Sequence, residues 1–184
     1  MQHFRILVII TTLLVSTFSF AQKKTLQAIP SKENITIDGK LDETSWNKAP
    51  IAGDFFSFEP ENGTLEPKNQ RSEVKIIYNN NAIYIGAVLY DDAPDKIQKE
   101  ITQRDNFGTS DIFGIFINGF NDGQQDFRFF LSAAGVQMDC LATELKEDFT
   151  WDAIWNSEVK ITEFGWVVEM EIPYAALRFS DNSN

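Results

Sequence analysis

The chain has 184 residues, 43% of them hydrophobic and 13% aromatic, and 16 Lys and Arg stand against 27 Asp and Glu for a formal charge of −11. Such acidity excludes the basic footprint on which nucleic-acid binding rests. A single Cys and a single His exclude an intrachain disulfide framework and a zinc site of Cys/His type.

Residues 1–21 have the pattern of a secretory signal peptide. Arg5 supplies the positive start, residues 6–15 form an apolar run broken only by Thr11 and Thr12, and Ser19–Phe20–Ala21 fits small-x-small cleavage. The run is too short to cross a bilayer comfortably. Cleavage there leaves a mature chain of 163 residues beginning at Gln22, with charge −12 and no His. That length suits one domain with its own core.

Residues 35–50, ITIDGKLDETSWNKAP, read as a short strand, a tight turn at Asp38–Gly39, and one or two helical turns. Asp42 is the expected N-cap, Trp46 the apolar plug and Pro50 the stop. Residues 51–71 are rich in Pro, Glu, Asn and Gly and read as a long loop, its start tied to the sandwich edge by Phe55, Phe56 and Phe58. Two alternating runs around Asn79–Asn80–Asn81 form a hairpin, with Ile83, Ile85, Ala87 and Leu89 on one face of its second strand.

Residues 96–103 have room for one or two helical turns. The run DIFGIFIN at 111–118 is almost continuously apolar, as expected of a strand covered on both faces. After the turn Asn121–Asp122–Gly123, Phe127, Phe129 and Leu131 alternate with Arg128 and Phe130. A further strand follows Ala134–Gly135, and the parity of Cys140 with Val136 and Met138 marks a buried thiol. The last hairpin turns at Glu163–Phe164–Gly165. Trp166, Val168, Met170 and Ile172 share a face opposite Glu169 and Glu171, and residues 174–179 close as a compact turn or short helix. The pattern predicts an all-β, antiparallel β-sandwich with helix only near 42–48, 96–103 and 174–179.

The strings IDGKLDETSW, EVKIIYNNNAIYIGAVLYDD and GWVVEMEIPYAALRF occur in that order. Together they resemble carbohydrate-binding module family 9 and its DOMON-like relatives, over roughly residues 35–179. The subgroup most similar is the N-terminal domain of large bacterial outer-membrane proteins of unknown function, which precedes a membrane barrel. The resemblance implies a non-catalytic module for oligo- or polysaccharide at residues 22–184, exported to the periplasm, outer membrane or exterior. It also implies that the C-terminal strands of the family fold are cut short here. The alternative is a structural or interaction domain of an outer-membrane assembly, with a C-terminal barrel of the same protein as partner and no sugar ligand. A glycosidase using paired carboxylates is a third reading.

The family's sugar-binding members sandwich a terminal sugar between two aromatics. One of these precedes the strand that here begins at Asp111, where Phe107 is the nearest aromatic. Asp111 matches an acidic position of the motif, and Arg104 and Asp105 share its loop. Trp151 is a second loop aromatic, near Asp148 and Asp152. The candidate carbohydrate-binding residues are therefore Arg104, Asp105, Phe107, Asp111 and Trp151. Packing over the sandwich end is the competing role for Phe107 and Trp151, and strand-end capping for Asp111. Asp and Asn oxygens could hold Ca2+, and the family often carries structural Ca2+, although FNDGQQD lacks the Gly and closing Glu of an EF-hand loop.

Overall fold

A computed structural model describes residues 24–180. Residues 1–23, with the expected signal peptide at 1–21, and residues 181–184 lie outside the described residues. Among the described residues nine strands form two sheets that pack as a sandwich, in agreement with the fold expected from the sequence. The five-stranded sheet has the order β1-β2-β3-β9-β8, and the four-stranded sheet β4-β5-β6-β7. Strands β1 (Ile29–Pro30), β2 (Ser72–Tyr78), β3 (Ala82–Tyr90), β8 (Asn156–Thr162) and β9 (Gly165–Pro173) make the first sheet. Strands β4 (Ile112–Ile117), β5 (Gln125–Ser132), β6 (Gln137–Thr143) and β7 (Glu147–Asp148) make the second. All pairings are antiparallel except β1 with β2.

Alternation along the strands builds the core. Val74, Ile85 and Ala87 face Phe127, Phe129 and Leu131 across the sandwich, joined by Val168, Met170 and Ile172 from β9. Burying such side chains is worth about 1.5–3 kcal/mol each, which sets the register firmly. A second, smaller core lies on the outer face of the five-stranded sheet. Trp46, Ala49, Ile77, Ala82 and Tyr84 meet there, with Ile35, Ile37 and Leu41 against them. The motif at 35–50 thus covers one face of the sheet, with Trp46 fully buried as its plug.

Four local expectations need correction. The helix α1 is Thr44–Lys48, and its N-cap is Glu43, not Asp42. The N-terminal donor at Ser45 is taken by the Glu33 carboxylate at 2.8 Å, so the cap comes from an earlier segment of the chain. Residues 96–103 hold no helix beyond a 3-10 turn at Pro94–Lys96. Lys99 instead bridges Ser110, and the Glu100 carboxylate accepts from the Thr109 N–H at 2.6 Å, which keeps the segment extended. Strand β4 is covered less than its apolar run suggests, because it is a sheet edge and Phe116 is 56% exposed. Finally, Phe56 and Phe58 stand out in solvent, and only Phe55 reaches the cleft beside β4. The third expected helical site holds a 3-10 turn, Tyr174–Ala176.

Candidate binding faces and their supports

Strand β5 divides the candidate residues. Its odd positions face the core, and its even positions face outward. Phe107 packs on Phe130 at 5.3 Å and on Phe149 at 5.6 Å, both edge-on, and so lies on the outer face of the four-stranded sheet. Trp151 packs on Phe127 at 5.2 Å and Phe129 at 6.0 Å, on the inner side. The two aromatics therefore stand on opposite faces of one sheet and do not form a single clamp.

Arg104 and Asp105 come together around a buried carboxylate. Asp139, on β6, has no exposed surface. It accepts from the Trp155 indole N–H at 2.9 Å and the Ala153 backbone N–H at 2.9 Å, and Arg104 Nη2 pairs with it. Arg104 also donates to Asp152 Oδ1 at 2.9 Å, to Gln137 Oε1 at 2.5 Å and to the Ala153 carbonyl at 2.9 Å. Asp105 adopts a left-handed φ of 63° and accepts from the Asp139 N–H at 3.1 Å. Burial raises the Asp139 carboxyl above its ordinary range, while the indole, the backbone N–H and the guanidinium pull it back. With every one of its donor nitrogens engaged, Arg104 fastens the 151–155 loop to the sheet. Asp111 sits at the start of β4, where its carbonyl accepts from Ala133 at 2.8 Å and its carboxylate from the Gln98 N–H at 3.3 Å. Those contacts are those of a strand-end cap.

The outer face of β4–β7 carries a group that sequence reasoning did not single out. The β4–β5–β6 register places Phe116 opposite Arg128, and Arg128 opposite Cys140. The Arg128 guanidinium lies over the Phe116 ring at 4.5 Å and pairs with Asp126 at 2.7 Å and with Glu147. The carboxylates, Asp126 first, hold it firmly protonated. Phe116 and Phe130 meet edge-on at 5.6 Å. Gly114 leaves room for them: a Cβ there would come within 2.7 Å of the Phe130 ring. Beneath this surface Met138, Cys140 and Ala142 are fully buried, and burial pushes the Cys140 thiol up to about 11. The signal available in the sequence was the alternation DFRFF, which sends Asp126, Arg128 and Phe130 to one side. Among the described residues no group of three or more His, Cys, Asp or Glu side chains is arranged to hold a metal ion.

The architecture is a two-sheet β-sandwich whose four-stranded sheet carries aromatic and charged side chains on its outer face. More specifically, the chain belongs to the carbohydrate family 9 binding domain-like family, whose model matches residues 37–184. Its fold is similar to that of a family 9 carbohydrate-binding module from Caldicellulosiruptor kristjanssonii solved with cellotriose. The TM-score is 0.52 at 18% identity, over 79% of this chain and 66% of that one. A structure of a family 9 module from the same organism with glucose gives a TM-score of 0.54 at 17% identity, over 79% of this chain and 67% of that one. The chain thus spans about two thirds of the length of either neighbour. No curated protein matches it.

Proposed function

We propose that this is a non-catalytic module that binds an oligo- or polysaccharide through the outer face of its four-stranded sheet. The carrying observation is the exposed Phe116 ring set beside the Arg128–Asp126–Glu147 cluster, with Phe130 and Phe107 adjoining. A sugar offers an apolar C–H face and a rim of hydroxyls. An aromatic surface meets the first, and carboxylates and a guanidinium meet the second. Family membership and the cellotriose and glucose bound to the structural neighbours support the same class of ligand. The signal-like pattern of residues 1–21 supports export, to the periplasm, outer membrane or exterior of a bacterial cell.

The test is calorimetric titration with cello-oligosaccharides. Phe116→Ala lowers affinity roughly tenfold, the loss typical of truncating an aromatic hot spot, and leaves the unfolding midpoint within a degree or two. Unchanged affinity in Phe116→Ala and Phe107→Ala places the ligand elsewhere.

A second reading has its own observation. Ile51, Phe55, Phe56, Phe58 and Leu65 are all exposed in one loop region, beside the edge of β4 and an apolar cleft of about 480 Å3 between the sheets. That surface suits an interaction domain of an outer-membrane assembly, with a barrel of the same protein as partner. Failure of the wild-type chain to bind any glycan favours this second reading.

A further inference from the structure

The other side of the same sheet holds a second recess. It has a volume of about 410 Å3 and lies where the start of β5 and the end of β6 meet the turn after β9. Trp151 forms one wall, with small Ala153, Ala175 and Ala176 around it. Its ring is braced from behind by Phe127 and Phe129, so one aromatic surface is fixed while part of it stays open to solvent.

The polar groups at this recess have unused bonding capacity. Among the described residues the Trp151 indole N–H and the Gln125 amide make no hydrogen bond with protein, and the Arg178 guanidinium reaches only the carbonyl of Leu177. Asp152 gives one oxygen to Arg104 and has a side chain 71% exposed. The Trp46 and Trp155 indoles, by contrast, are each spent on a buried carboxylate. A pocket of this size, with one rigid aromatic wall and separate donors and acceptors at its rim, fits one or two sugar rings.

We infer that the recess at Trp151 is a second saccharide subsite, separate from the Phe116 face and on the opposite side of β5. The inference rests on the carbohydrate-binding reading and adds a second point of grip. Because the two sites stand on opposite sides of one sheet, each holds its own stretch of sugar and the two bind independently.

The experiment titrates the whole mature chain with cellotriose and with a longer cello-oligosaccharide, following heat and tryptophan fluorescence. In the Phe116→Ala protein a weaker phase persists and still changes Trp151 emission. Adding Arg178→Ala, at an exposed position, and Gln125→Ala, at the half-buried start of β5, weakens that phase roughly tenfold. Trp151→Phe, which keeps the packing against Phe127, removes the fluorescence change. If Phe116→Ala abolishes binding and the wild-type emission never responds to sugar, the second subsite is disproved and the outer-face site stands. If the wild-type chain binds neither sugar, both readings fall together.

Discussion

Two buried carboxylates, Asp139 on the core-facing side of the four-stranded sheet and Glu169 on the outer side of the five-stranded sheet, are built alike. Glu169 on β9 accepts from the Trp46 indole at 3.3 Å and from the Asp38 and Gly39 backbone N–H groups at 3.0 and 3.1 Å. Asp139 on β6 accepts from the Trp155 indole and the Ala153 N–H. Each has no exposed surface, and each ties a Trp-bearing loop to a sheet. The difference is the counter-charge. Asp139 has Arg104 against it, whereas Glu169 accepts only uncharged N–H donors. Burial accordingly pushes Glu169 up to about 7 despite its backbone donors. A carboxylate with a cation can stay charged at low cost, while one held by dipoles alone is poised near neutrality.

The largest way to break the comparison is to remove a plug. Trp46→Ala empties a fully buried site between α1 and Ile77 and frees the Glu169 carboxylate of a partner. The expected loss is about 3–5 kcal/mol in denaturant unfolding. Trp151→Ala, at a half-buried position, costs clearly less. Equal losses from the two would mean that the 35–50 segment is no more a part of the core than the 151–155 loop.

A smaller effect sharpens the contrast in charge. For a carboxyl whose folded pKa is raised, the folded state binds the proton more tightly than the unfolded chain. The stability this contributes is fully present below the ordinary value of 4.5 and is lost as pH rises through about 7. Glu169→Gln removes that titration. Stability of the wild type relative to Glu169→Gln should therefore fall by on the order of 1–3 kcal/mol between pH 4.5 and 8, measured by urea unfolding across the range. Asp139→Asn should show the same sign with a shallower slope, because Arg104 opposes the shift. A flat difference for Glu169→Gln would show that the three N–H donors keep the carboxylate charged throughout.

The fold was legible in the sequence because it rests on period-two patterns that local residues carry whole. Ile83, Ile85, Ala87 and Trp166, Val168, Met170 declare their faces without reference to anything distant. Those patterns leave open that β3 pairs with β9, which the strand order alone reveals. The candidate site was legible only in part. Loop residues such as Arg104 and Asp105 are chemically suited to a ligand, and nothing local shows that Asp139, 35 positions away, already occupies them. Glu169 was likewise placed correctly opposite the core parity. Its burial depends on the 35–50 segment folding over it, a contact more than 120 residues apart in sequence. The Phe116–Arg128 pair escaped notice because β4 reads as interior from its composition, and only the strand order makes it an edge.

The smallest expected effect bears on whether Arg104 supports or binds. Its guanidinium is a planar fork that reaches Asp139, Asp152, Gln137 and the Ala153 carbonyl at once. An ammonium has the same charge and three donors on a flexible stem, and it cannot span four acceptors in those directions. Arg104→Lys keeps Asp139 neutralised, so it avoids the several kcal/mol that an uncompensated buried carboxylate would cost. What it loses is one or two hydrogen bonds at a partly exposed position, about 1 kcal/mol in unfolding free energy. Affinity for cello-oligosaccharides at the Phe116 face should stay within about twofold, because Arg104 lies on the far side of β6 from that face. A variant of unchanged stability whose sugar affinity drops tenfold would reverse this assignment. Arg104 would then be a ligand contact, and Asp139 the group that aims it.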